Sequence, residues 1–172
     1  MSENLFPEMQ HLLGLPFTKA TRLGHVQYFH FGKAHIRNAN GLVLDVGAWT
    51  LEVACHWQLE EAGAVTIRFE EVEIPRDTQT LADPAFDPQV PGSNLRDRKL
   101  QELARGQKDA LRVWQVTASA EGELTISLEG NRTLRVQPSQ GVLETSAHFW
   151  RLFSNTQEEG GVGFGANGVV RA

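Results

Sequence analysis

The sequence predicts a mainly β (α+β) protein: an antiparallel barrel-like or sandwich sheet with two short covering helices. Three observations carry this. Apolar and polar residues alternate in runs of four to eight along most of the chain, as half-buried strands require. The runs are joined by brief Asn-, Asp- and Gly-containing turns that suit hairpins rather than crossovers. Only two stretches carry helical spacing instead, and 172 residues without a repeat of fixed period fit a single domain.

Taken in order, residues 4–13 read as a short helix. Asn4 is a cap, Pro7 and Glu8 suit a first turn, and Leu5, Met9, Leu12 and Leu13 recur on one face before Gly14. From Val26 the period drops to two, and aromatic residues on both sides of Val26–Phe31 predict a strand buried on both faces. Asn38-Ala39-Asn40-Gly41 tolerates positive φ and predicts a turn into a strand over 42–46. After Gly47-Ala48, the residues Trp49, Leu51, Val53 and Cys55 share one strand face, while Thr50, Glu52, Ala54 and His56 share the other.

A turn at 60–63 leads to Val65, Ile67 and Phe69. Val72 and Ile74 lie one step out of phase with them, which predicts a β-bulge near Glu70-Glu71. Residues 75–94 hold four prolines among aspartates and predict an internal loop with little apolar burial, the most mobile internal stretch. Asn94 caps a second helix over 95–105, whose narrow apolar stripe (Leu100, Leu103, Ala104) places it on the surface. The last third reads as a meander with strands near 110–119, 123–129, 132–137 and 147–153. The Gly-rich tail, 160–172, then either adds an edge strand through Val169-Val170 or frays.

Charge and composition narrow the function. Sixteen basic against 21 acidic side chains give −5, so a nucleic-acid role would need a basic patch working against the overall field. The one such segment, Arg96 to Lys108, has five basic side chains but no interleaved aromatic residue for base stacking, and reads as a solvated helix face. Cys55 is the only cysteine, which excludes a disulfide framework, a thiolate zinc cluster and paired-thiol redox chemistry. No run is long and apolar enough to span a membrane, and the start is acidic where a secretory signal is basic, so the expected location is cytoplasmic.

Candidate chemistry is sparse. Gly163-Phe164-Gly165-Ala166-Asn167-Gly168 spells GxGxxG, yet no helix or acidic residue can follow it at the distance that a dinucleotide site needs. His25, His30 and His35 are five apart, a spacing that aligns three ligands on neither a strand nor a helix, so no metal and no cofactor is expected. Cys55 and His56 point to opposite faces of a strand and cannot form a nucleophile and base pair. Glu71 and Glu73, on one strand face, are a weak acid/base candidate. Asn131-Arg132-Thr133 fits a glycosylation sequon but reads as a hairpin turn.

The motif Trp49-x-Leu51-x-Val53-x-Cys55-x-Trp57, a charged hairpin, the Pro/Asp-rich loop, the Gly122–Leu128 turn and strand, and Phe149-Trp150-Arg151-Leu152 together resemble a group of small bacterial proteins without an established activity. The resemblance covers about residues 42–153. In that group the first motif tends to end Cys-Pro-Trp-Arg and the late one to read Glu-x-Trp-Arg. This chain has His56, Gln58 and His148 where that group has proline, arginine and glutamate.

On the residues themselves, Trp49, Trp57 and Trp150 read as one structural aromatic cluster, and Arg151 as a neighbouring-strand partner of Glu52 or Glu70. No nucleophile, base and orienter assemble, so no catalytic residue is assigned. The expected function is a non-enzymatic module that binds another protein, of the kind that neutralises a toxin from a neighbouring cell. The alternative is a small-ligand protein or enzyme with a cavity between sheet and covering helix, using His30, His56 and Arg151 as its polar groups.

Overall fold

The alternation of large apolar residues becomes buried sheet face in strand after strand. The computed structural model describes residues 6–77, 84–105, 111–142 and 148–171, with the side chains of 140–142 excepted. A 3₁₀ helix (Pro7–Leu12) precedes β1 (Pro16–Leu23), β2 (Val26–Phe31), β3 (Ala34–Arg37), β4 (Val43–Val46), β5 (Trp49–Val53), β6 (Cys55–Glu61) and β7 (Ala64–Arg68). A second 3₁₀ helix (Phe69–Glu73) and the helix α1 (Leu95–Arg105) follow. The chain then continues through β8 (Leu111–Ala118), β9 (Leu124–Leu128), β10 (Arg132–Val142), β11 (Trp150–Ser154), β12 (Val162–Gly165) and β13 (Gly168–Arg171).

Eleven strands form one antiparallel sheet in the order β13-β12-β11-β5-β2-β1-β8-β9-β10-β6-β7, while β3 and β4 pair only with each other. Strands β5 and β6 are separated by one residue, Ala54, yet stand six places apart in that order. The sheet must therefore curl back on itself, which gives the barrel-like form. One buried cluster fills the curl, built from inward residues such as Phe29, Leu51, Trp57, Ile126, Val136 and Leu152.

Several expectations need correction. The helix expected over 4–13 is a 3₁₀ turn. Phe6, Met9 and Leu12, all at 1% exposure or less, recur every three residues, the 3₁₀ period, and Leu13 is exposed. Asn4, the expected cap, lies outside the described residues. The phase slip at Glu70-Glu71 is likewise a 3₁₀ turn and not a bulge, with Phe69 and Val72 buried three apart. Glu71 accepts the Arg68 backbone N–H at 2.5 Å and pairs with Lys99 at 2.5 Å, while Glu73 meets His25 at 2.7 Å, so these two carboxylates serve different partners. Trp57 and Trp150 belong to one buried cluster with Trp49 packed against it, but among the described residues their rings meet other partners rather than each other. Trp57 meets Phe29 edge-on at 5.0 Å, Trp150 meets Phe6 at 5.2 Å, and the partly exposed Trp49 stacks on His11 at 4.5 Å.

Asn94 does cap α1, its Oδ1 accepting the Asp97 backbone N–H at 2.8 Å. That helix is less superficial than its stripe predicts, because Leu95, Arg96, Asp97 and Leu100 are all buried. Arg96 turns inward to the Phe69 and His25 carbonyls and Lys99 to Glu71, whereas Arg98 meets the Arg76 carbonyl at the surface and Arg105 is exposed. Lys108 lies outside the described residues.

The Pro/Asp-rich loop is closed at its base by a Pro75–Asn94 bridge, and Arg22 holds its later part through the Pro88 and Val90 carbonyls. Residues 78–83 lie outside the described residues. The tail forms a β-hairpin, β12 with β13, and the GxGxxG letters are its turn, with Gly165 paired to Gly168.

Candidate functional site

His30 sits where three strands and a loop converge. On β2 the inward positions Gln27, Phe29 and Phe31 are buried, so the alternation turns Tyr28 and His30 to the outer face. Thr50 of β5 lies directly across from His30, and Lys19 of β1 lies across on the other side. The His30 Nδ1 is 3.0 Å from Thr50 Oγ1 and its Nε2 is 2.8 Å from Thr21 Oγ1. Asn155, in the bend after β11, donates from Nδ2 to Thr50 Oγ1 and to the Gly47 carbonyl, each at 2.8 Å.

Gly47 has a steric role here, since a Cβ at that position would stand 2.9 Å from the His30 Cβ. Only glycine lets the chain between β4 and β5 pass so close to the imidazole. Burial lowers the His30 pKa below the ordinary histidine value, and Lys19 lowers it further. The neutral ring offers one N–H and one lone pair, so one threonine hydroxyl accepts from it and the other donates to it.

Above this histidine the separate β3–β4 hairpin forms a wall. Between hairpin and sheet lies a cleft of about 680 Å³, with Thr21 and His30 at its floor, Lys19 and Lys33 among its lining, and His35 and Asp45 on the hairpin side. Asp45 is occupied by His35 at 2.6 Å. Neither Lys19 nor Lys33 has an ion pair among the described residues.

The other two residues singled out from the sequence stand elsewhere. His56 on β6 bridges Glu70 (2.9 Å) and Gln137 (3.0 Å). Partial burial pushes the Glu70 carboxyl up, but its backbone hydrogen bond, His56 and Arg68 outweigh this, so its pKa lies below the usual carboxylate range. Arg151 on β11 pairs with Glu52 (2.8 Å), as one of its two expected partners, and lies over the Phe153 ring at 4.7 Å. His30 and Arg151 share the outer face with β5 between them, whereas His56 belongs to the far end of the strand order.

A second cleft, about 580 Å³, does lie between the sheet and α1, lined by Arg22, Gln27, Asp97, Leu100 and Ala104, and none of these three residues reaches it. Arg22 and Asp97 pair with each other there at 2.9 Å, and Lys19 and Arg105 also line it. Cys55 is fully buried, and burial, with Glu123 nearby, pushes its thiol up to about 12, so it holds its proton and is no nucleophile. Among the described residues no three His, Cys, Asp or Glu side chains gather closely enough to hold a metal ion.

Thr21, Thr50, Asn155, Lys19 and Lys33 were not singled out from the sequence. Alternation assigns Thr50 to the outer face, but nothing local marks Asn155, which arrives from 105 residues away. No known protein family, characterised protein or solved structure matches the chain.

Proposed function

We propose that the chain is a non-enzymatic binding module and that its contact with a partner protein is made by the β3–β4 hairpin. The observation that carries this is the run Leu42-Val43-Leu44, exposed by 61%, 57% and 41% on a hairpin outside the main sheet. Three consecutive exposed aliphatic residues on a two-stranded ribbon are a liability in solution unless a partner covers them, and each contributes roughly 1.5 to 3 kcal/mol when fully buried.

The ribbon is built to hold its shape. Asn38 Oδ1 accepts the backbone N–H groups of Asn40 (2.9 Å) and Leu42 (3.0 Å), and His35 pairs with Asp45 across the strands. Arg37 lies across from Val43, so the complementary surface is apolar with a carboxylate at its rim. The resemblance to small bacterial proteins supports a bacterial, cytoplasmic setting, and neutralisation of a toxin is the form of binding that fits it. The lone buried thiol agrees with a reducing compartment, and among the described residues no helix is long and apolar enough to cross a membrane.

The test is cross-linked capture from the source cells with the wild-type chain and with a Leu42→Asp/Leu44→Asp variant of equal melting temperature. A protein held by the wild type and lost from the variant supports the proposal. Equal retention by both, or nothing held beyond an unrelated β-protein control, refutes it.

A further inference from the structure

We propose that the cleft between the β3–β4 hairpin and the outer face of β1, β2 and β5 binds a small organic anion. Its carboxylate or phosphate group meets Lys19 and Lys33, and a hydroxyl or carbonyl oxygen further along it meets the Thr21–His30 pair at the floor. This goes beyond the protein contact above, in which Leu44 points to the face of the ribbon opposite His35 and Asp45.

Size and shape come first. At about 680 Å³ the cleft lies inside the range of roughly 300 to 1,000 Å³ that holds small-molecule ligands. Its floor is preorganised: both imidazole nitrogens have partners, Thr50 is fixed by Asn155, Asn155 is fixed by Gly47, and Gly47 packs on His30. The Thr18 hydroxyl adds hydrogen bonds to the His30 and Gly32 carbonyls at 3.2 and 3.3 Å, anchoring the strand on both sides of the ring. A polar group supported through three successive residues is held for orientation, which a solvent-facing histidine does not need.

Charge sets the ligand class. The whole chain carries −5, yet the charged groups lining this cleft are Lys19, Lys33 and the carboxylate of Asp45, which His35 holds, so ammonium groups outnumber carboxylates two to one and neither lysine has an ion pair among the described residues. Two cations over a neutral hydrogen-bonding floor select an anion with a polar body. The Thr21 hydroxyl, engaged once by His30, keeps capacity for a further hydrogen bond.

The experiment follows the His30 ring protons by NMR while citrate, and in a separate series inorganic phosphate, is added to about 10 mM, a level that fills even a millimolar site. Ionic strength is held constant with sodium chloride. Wild type is compared with Lys19→Met/Lys33→Met, whose positions are exposed and whose melting temperature checks the fold, and His30→Gln assigns the resonance.

The expected result is a saturable shift of His30 with His56 unmoved, and an apparent Kd raised about tenfold or more in the lysine variant, the change for about 1.4 kcal/mol. Saturation by citrate alone assigns the carboxylate class, and saturation by phosphate assigns the phosphate class. A non-saturating drift with both anions, equal affinity in the lysine variant, or an equal shift at His56 overturns the proposal.

Discussion

Arg96 is the charge whose removal most directly tests how this core is held. Its side chain is fully buried, with the guanidinium 5.3 Å from the Trp57 ring centre and 5.2 Å from that of Phe69. Nη1 donates to the Phe69 carbonyl at 3.1 Å and Nη2 to the His25 carbonyl at 3.3 Å, while Nε has no partner among the described residues. Burial lowers its pKa well below the ordinary arginine value, to about 10, against the opposing pull of Asp97. A displacement of that size corresponds to a cost of about 3 kcal/mol for keeping the charge inside the fold near neutral pH.

Arg96→Met keeps an unbranched chain between the two rings and removes that cost, but strands two carbonyls, each worth roughly 1 to 3 kcal/mol. The opposing terms leave Arg96→Met within about 1 kcal/mol of wild type, as replaced buried charges often are. Arg96→Ala adds an empty site and loses about 3 to 5 kcal/mol. Urea unfolding at neutral pH reads both. Above about pH 10 the folded state releases a proton that the unfolded chain still holds, so stability there rises with pH. Wild type should therefore gain on Arg96→Met, by an amount on the order of 1 kcal/mol, as pH rises from about 8 to above 10. If Arg96→Met falls as far as Arg96→Ala, or the gap is flat with pH, the charge is a net stabiliser and the reasoning fails.

The tryptophans give a second prediction. Trp57→Ala and Trp150→Ala should each lose about 3 to 5 kcal/mol in urea titration, and the partly exposed Trp49→Ala about half as much. Trp150→Phe should cost about 1 kcal/mol more than Trp57→Phe, because only Trp150 donates a hydrogen bond among the described residues, to the Gly122 carbonyl at 2.8 Å. Equal costs for the two phenylalanine variants would contradict this. Cys55 should resist an aromatic disulfide reagent in the native state and react fully in denaturant, since its thiol is buried and protonated. Rapid native labelling would show that β6 opens locally.

The strands were legible because burial on one sheet face writes a period of two into the chain, and Leu51 to Leu59 display it with only the small Ala54 breaking the alternation. The 3₁₀ turns were visible only as irregularities. A three-residue repeat over six residues is too short to separate from an α-helix, and a slip of phase at Glu70 looks the same for a turn and a bulge. Arg96 was read as solvated because charge on a helix normally faces water. What buries it is a pair of aromatic rings from positions 57 and 69, distant in sequence. The cleft followed the same rule: His30 stood out as a residue type, while Thr21, Thr50 and Asn155 became its partners only through strand pairing.

Ala54 joins β5 to β6, and the odd-numbered residues on both sides, Leu51, Val53, Cys55, Trp57 and Leu59, all face inward. That shared parity makes the junction intolerant of a change in length. One inserted residue would keep β5 in place but rotate β6, so that His56 and Gln58 would point into the core and Trp57 and Leu59 into water. The 38–41 turn, whose Ala39, Asn40 and Gly41 are exposed, carries no such phase and can lengthen freely. Insertions and deletions among descendants of this chain should therefore collect at the hairpin beside the cleft, where recognition can diversify, and be missing between Trp49 and Leu59.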